Sequence, residues 1–198
     1  MRFELKCDCG TLRGHVEQLE TANRGICYCR DCQAFIRYLG RESDVLDSRC
    51  GTEVFQMQPK HVRLTQGLDA LASVRLTDKG LRRWYARCCM TPVGNTPPGY
   101  KLSFCSLIRR FLDADEDKLA RAVGPVRMHV HTKSACGEPK PDSTGVAGAV
   151  LRFMVMLARA RLDGSYRQTP FFNAADGTPV VRAKVLSPAR LRELKYPG

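Results

Sequence analysis

The run Cys27-Tyr28-Cys29-Arg30-Asp31-Cys32 puts three thiols within six residues, in a C-x-C-x-x-C spacing. An extended C-x-C holds two sulfurs close together, and the x-x-C turn that follows can return a third to the same point. Zinc binds thiolates at about 2.3 Å and takes four ligands in tetrahedral array. Three cysteines from one loop leave a corner for water, substrate or a distant side chain. An open corner is what separates a working zinc from a structural one. Such a zinc would lower the pKa of a bound thiol, hold it as a thiolate nucleophile and act as a Lewis acid. Cys27, Cys29 and Cys32 are therefore the candidate catalytic residues as well as candidate metal ligands. The plainer reading of the same triad is a closed structural zinc whose fourth ligand comes from elsewhere.

A second set of thiols is split along the chain. Cys7-Asp8-Cys9-Gly10 has the form of a metal knuckle, with Gly10 allowing the tight turn. Cys88-Cys89-Met90-Thr91-Pro92 arrives about eighty residues later, which is how small zinc domains complete a four-sulfur site. Neighbouring residues on a regular strand point to opposite faces, so Cys88 and Cys89 can share one ion only if the backbone kinks there. Cys7, Cys9, Cys88 and Cys89 together, three of them plus another group, or no metal at all are the alternatives. Cys50 and Cys105 read as buried small hydrophobes, and Cys136 lies in a Gly/Pro loop with nothing to activate it. His129-Val130-His131 would set two imidazoles on one face of a strand, without a third ligand nearby. His15 reads as a strand-surface residue, and Asp44 and Asp47 as a solvated turn. Trp84-Tyr85 reads as core.

Ten cysteines in 198 residues are many, yet fewer than in small disulfide scaffolds. The first residues, Met1 to Lys6, carry no apolar signal core. The longest apolar stretch, Val146 to Ala160, is interrupted by Arg152 and Arg159 and is too short for a bilayer. A cytoplasmic protein with reduced thiols and no membrane partner is the expectation, and clustered cysteines then read as metal ligands before disulfides. The formal charge is +12, weighted toward the C-terminus. Nucleic acid or an acidic protein is a possible partner on that ground, but no basic run exceeds two residues, and aromatics are not interleaved as a stacking platform requires.

These residues must be positioned by a chain of many short strands. Alternation predicts strands over 2–18, into the triad loop from Arg24, over 52–57, from His61, over 71–76 and over 81–86, with Lys79-Gly80 at a turn. A short helix from Gln33 to Leu39 should end at Gly40. Beyond residue 105, Leu107, Ile108, Phe111 and Leu112 recur at helical spacing, as do Leu119, Ala122 and Val123. Val126–His131 reads as a strand and 133–144 as a loop. Val146–Leu162 reads as a helix with Leu151, Val155, Ala158 and Leu162 on its apolar face. Ser187-Pro188 caps a last helix through Leu194.

The ordered set C-x-C-G, C-Y-C-R-D-C and a late Cys-Thr-Pro region resembles the glutathione-dependent formaldehyde-activating enzyme family, which includes centromere protein V. The likeness spans roughly residues 4–105. It implies a zinc-binding β-tent of small antiparallel sheets, mostly β, over residues 1–105. On residues 106–198 it is silent, and these read from their own pattern as a mixed α/β C-terminal extension with helices, packed on the tent. The resemblance also implies two zincs: a structural one on Cys7, Cys9 and Cys89, and an open one on the triad. The family's first late thiol would fall on Ala86 and its glycine on Met90, and here the sequence departs from the pattern. The implied reaction is a carbon–sulfur lyase step on a thiol adduct of an aldehyde. Glutathione is the implied small-molecule partner, with Arg30, or Arg37 or Lys101, as candidates to hold its carboxylates. The rival is a non-catalytic zinc-stabilised binding module with a basic surface, and a third reading is a thiol-redox or metal-buffering protein. The oligomeric state is not legible.

Overall fold

The computed structural model describes residues 1–196. The chain is mixed α+β, with strands β1 (Arg2–Lys6), β2 (Arg13–Glu17), β3 (Asn23–Cys27), β4 (Thr52–Met57), β5 (Val62–Gln66), β6 (Leu71–Arg75), β7 (Arg82–Ala86), β8 (Thr91–Thr96), β9 (Cys105–Ile108), β10 (Met128–Val130) and β11 (Lys184–Val185). The helices are α1 (Arg30–Leu39), α2 (Glu42–Val45), α3 (Glu116–Val123), α4 (Val146–Leu162) and α5 (Pro188–Lys195). The strands form a three-stranded sheet, β1-β2-β5, and an eight-stranded sheet, β10-β3-β4-β9-β8-β7-β6-β11. Pairings within the large sheet are antiparallel except at its two edges, where β10 joins β3 and β11 joins β6 in parallel. Strands from beyond residue 104 therefore fill its middle and both edges.

Both faces of the large sheet are covered, so its strands bury side chains on both sides. Phe55, Met57, Trp84 and Leu107 pack toward Phe3, Leu5 and Val16 of the small sheet and toward Leu119 of α3. Their neighbours Val54, Tyr85 and Ile108 point the other way, against Phe35, Ile36 and Leu39 of α1 and Leu194 of α5. The alternation of period two sorts the side chains between two cores. Trp84 is fully buried, and its indole N–H donates to Thr96 Oγ1 at 2.9 Å.

Two expectations are corrected. The helical spacing at 107–112 belongs to β9 and a single 3₁₀ turn, Arg109–Phe111. Leu107, Ile108, Phe111 and Leu112 are all buried, so their periodicity records burial on two faces and not a helix. α4 has the expected bounds, but Leu151 is 67% and Leu162 87% exposed, while Ala149 and Ala160 are buried. A helix apolar nearly all round does not declare its inner face. The inward side is set by polar anchors: Asn23 Nδ2 donates to Ala149 O at 3.2 Å and Gln58 Nε2 to Met156 O at 2.8 Å. No helix among the described residues is long and apolar enough to cross a membrane.

Candidate metal centres

The first centre forms where β1 ends and where β7 turns into β8. Cys7 N donates to Leu12 O at 3.0 Å, Gly10 N to Cys7 O at 2.8 Å and Leu12 N to Cys7 Sγ at 3.2 Å, so the loop folds back on its own sulfur. Gly10 sits at φ +76°, as that turn requires. Residues 87–90 form a turn, with Met90 in the left-handed region at φ 57°. The kink demanded by adjacent Cys88 and Cys89 is therefore present, and it explains why glycine would be the easier residue at position 90. Cys7 Sγ lies 3.6 Å from Cys9 Sγ and 3.8 Å from Cys88 Sγ, and Cys88 Sγ lies 3.8 Å from Cys89 Sγ. Sulfurs at the corners of a zinc tetrahedron stand about 3.8 Å apart when each bond is about 2.3 Å. All four sulfurs fall within 4.8 Å of one another, so the four thiols fit one metal ion.

The periphery holds this centre in shape. Asp8 N donates to Thr91 Oγ1 at 3.0 Å and joins the two halves. Arg41 pairs with Asp8 and donates to Cys89 O at 3.0 Å, and Arg110 pairs with Asp8 at 3.0 Å. Cys9 is held down to about 6 by Thr11, whose hydroxyl lies 3.2 Å from its sulfur, and then by the hydrogen bond with Cys88. Cys88 is pushed up to about 12 by burial and by the same hydrogen bond.

The second centre forms where β3 runs into α1. Cys29 is the N-cap of α1, and its sulfur accepts from Cys32 N at 3.3 Å. That cap starts the helix at Arg30, three residues before the expected Gln33. A helix N-terminus favours negative charge on a capping sulfur. Cys32 Sγ lies 3.7 Å from Cys27 Sγ, and the three sulfurs lie within 4.8 Å of one another. The triad therefore fits a metal ion that takes three of its ligands from this loop. Hydrogen bonds with Cys27 and Cys29, with Arg83 beyond them, hold the Cys32 thiolate well below the ordinary thiol range against burial. The hydrogen bond with Cys29, then that with Cys32 and burial, push Cys27 far up.

Gly51 makes room for the loop: a Cβ there would lie 2.6 Å from Tyr28 Cε1 and 2.4 Å from Ile26 Cγ2. Gln33 Nε2 donates to both Tyr28 O and Ser134 O at 2.8 Å, tying the loop to the segment after β10. The sulfurs line a cavity of about 520 Å³, walled in part by Leu81, Phe104, Met128 and Val130. That size suits a small organic ligand.

Arg83 was not singled out from sequence, and it is the most informative residue of this wall. It comes from β7 opposite Asn95 of β8 and is only 3% exposed. Its Nη1 donates to Asn95 Oδ1 at 3.2 Å and reaches Cys32 Sγ at 3.8 Å, while its Nε has no partner. Among the described residues no carboxylate pairs with it. A buried cation demands a counter-charge, and the nearest anions are the thiolates. The sequence signal was weak: one arginine of the pair Arg82-Arg83 in a strand that continues as Trp84-Tyr85-Ala86.

Other candidates fall at varying distances from this centre. Arg30 lines the cavity, with its guanidinium 4.7 Å above the Tyr196 ring. Arg37 is committed to Leu194 O at 2.9 Å and Gln33 Oε1 at 3.2 Å, and Lys101 is exposed and does not line the cavity. β10 ends at Val130, so His129 and His131 do not share a strand face. His129 meets Thr144 Oγ1 at 2.9 Å, while His131, at φ 58°, lines the triad cavity. Cys105 is buried as expected, but Cys50 and Cys136 form a disulfide with Cα atoms 5.5 Å apart. The two are separated by 86 residues, and sequence alone does not disclose such a pairing.

The model of DUF6151, a family of unknown function, matches residues 2–184. No curated protein matches the chain. The crystal structure of a Rhodobacter sphaeroides protein from a structural-genomics effort is similar over 59% of this chain and 94% of its own, at 17% identity and a TM-score of 0.42.

Proposed function

We propose that this chain, which belongs to the DUF6151 family of unknown function, is a zinc enzyme of the carbon–sulfur lyase type. It makes or breaks the bond between a thiol, glutathione or another, and the carbonyl carbon of an aldehyde. The observation that carries this reading is the convergence of Cys27, Cys29 and Cys32 on the wall of a cavity beside the unpaired Arg83. The group at Cys7, Cys9, Cys88 and Cys89 already offers a complete ligand set and is assigned the structural ion. The triad offers three thiols and a cavity from which a fourth ligand can come. The order of the cysteine motifs supports the same reading through its likeness to the glutathione-dependent formaldehyde-activating family.

Zinc on the triad supplies a Lewis-acidic position that stabilises an added thiol as its thiolate. The chain's own residues do the rest. Cys29 is fixed by the start of α1, and Arg83 matches the excess negative charge of three thiolates. Addition forms the carbon–sulfur bond, opens the carbonyl double bond and leaves the thiol proton on the former carbonyl oxygen. His131 lines the cavity, and in this reading its imidazole carries that proton.

The test is exchange between an aldehyde, a thiol and their adduct, followed by carbon NMR on zinc-loaded protein. Acceleration over buffer is expected, with loss of about a hundred-fold or more in Cys29→Ser and none in Lys101→Ala. A protein with two zincs that accelerates exchange for no thiol tried would overturn the proposal. The basic, zinc-stabilised binding module would then stand, with polyanion retention falling steeply in salt.

A further inference from the structure

We infer that the triad cavity is built for a compact thiol of single negative charge with an apolar body, and not for a charged tripeptide such as glutathione; the inference rests on the triad being the reactive centre. Three thiolates with a divalent ion leave one negative charge, which Arg83 matches. Asp31 is matched by Lys195, whose ammonium lies 2.5 Å away. Arg30 is then the cation left over on the wall, so the cavity accepts one added negative charge.

The position of that charge is also given. Arg83 uses Nη1 on Asn95 Oδ1 and Cys32 Sγ, and its Nε has no partner. Asn95 is buried, and because its Oδ1 is taken, its amide N–H groups are the end left to donate. Among the described residues they meet no acceptor. The Arg83 Nε–H is thus a free buried donor on the residue that reaches Cys32, where an incoming thiolate would lie. Away from this corner Val54, Leu81, Phe104, Met128 and Val130 give the wall an apolar stretch, beside the neutral polar Gln56, Ser106 and Ser134. Glutathione carries two carboxylates and an ammonium besides its thiol. The one acid on the wall, Asp31, is already paired, so the ammonium has no counter-ion and the second carboxylate has none beyond Arg30. Ionic groups brought in unpaired are rejected far more strongly than apolar ones are attracted.

The experiment uses full-length protein loaded with cobalt, whose thiolate charge-transfer bands report each centre, and titrates phenylmethanethiol, 2-mercaptoethanol, mercaptosuccinate and glutathione. Phenylmethanethiol is expected to bind at least about ten-fold more tightly than glutathione or mercaptosuccinate, the order expected for burying one aromatic body. In Arg83→Met its affinity is expected to fall about ten-fold or more, and Asn95→Ala, which keeps the buried cation, gives a second reading if Arg83→Met folds poorly. Glutathione binding as tightly as phenylmethanethiol, or indifference of the ranking to both variants, would overturn the inference. Failure of the triad to take cobalt would instead sink the enzyme reading. Calorimetry with phenylacetate, which has the apolar body and one charge but no thiol, still decides the cavity's preference in that case. Binding that is lost in Arg83→Met supports the inference, and no binding to either protein contradicts it.

Discussion

At the scale of residues, the sulfurs of the four-thiol group differ in what surrounds them. Cys9 and Cys88 are both exposed, but Cys9 is held near 6 by Thr11 first, whereas partial desolvation and the hydrogen bond with Cys9 push Cys88 to about 12. A thiol of lowered pKa is ionised above that value, so in chelator-treated protein Cys9 should react with iodoacetamide throughout neutral pH. Its rate should fall as pH drops through about 6, and Thr11→Val should carry that midpoint upward. Peptide mapping of the alkylated protein reads this directly, and Cys88 labelling ahead of Cys9 at pH 7 would contradict it. The seven clustered cysteines were legible because metal-binding sulfurs have local spacings. Arg83 was not, because its importance lies in having no partner, which only the packed strand shows. Met90 lies between these cases: adjacent thiols required a kink, and the structure puts its left-handed residue there.

At the scale of elements, α1, α4 and α5 were legible from caps and bounds, and β4 from alternation, since each declares itself within its own residues. β9 was misread as helix because burial on both sheet faces erases the alternation that marks a strand. The inner face of α4 was hidden for a different reason, its apolar residues lying nearly all round the helix. The Cys50–Cys136 disulfide clips the turn before β4 to the loop after β10, the loop that brings His131 and Ser134 to the triad cavity. Cys136 N also donates to Arg49 O at 2.9 Å, beside the bridge. Replacing Cys50 with Ser should cost about 2–4 kcal/mol of stability, the usual worth of a native disulfide, and should speed tryptic cleavage after the exposed Lys133. Urea denaturation and a timed digest check both. Equal stability and equal cleavage rates, before and after treatment with a reductant, would show that the clip restrains nothing.

At the scale of the whole molecule, one strand connects the two centres. β7 carries Arg83 at the triad and leads, within about 16 Å of extended chain, to Cys88 and Cys89 at the four-thiol group. What the sequence could not show is that residues from beyond the cysteine motifs complete the same sheet, because β10 and β11 are three and two residues long and acquire their meaning from parallel pairing with β3 and β6. The C-terminal helix closes against α1 in the same way, through Leu194 in the core and Lys195 on Asp31. The central claim is that this frame holds two metal ions of different character, one enclosed by four thiols and one with a corner left for a ligand. The most direct measurement is zinc per chain on the purified protein, repeated on Cys29→Ser and in the presence of an added thiol. A value near two is expected, falling to one in Cys29→Ser, with thiol changing the environment of the triad ion alone. A single zinc that ignores both the substitution and the thiol would contradict the account.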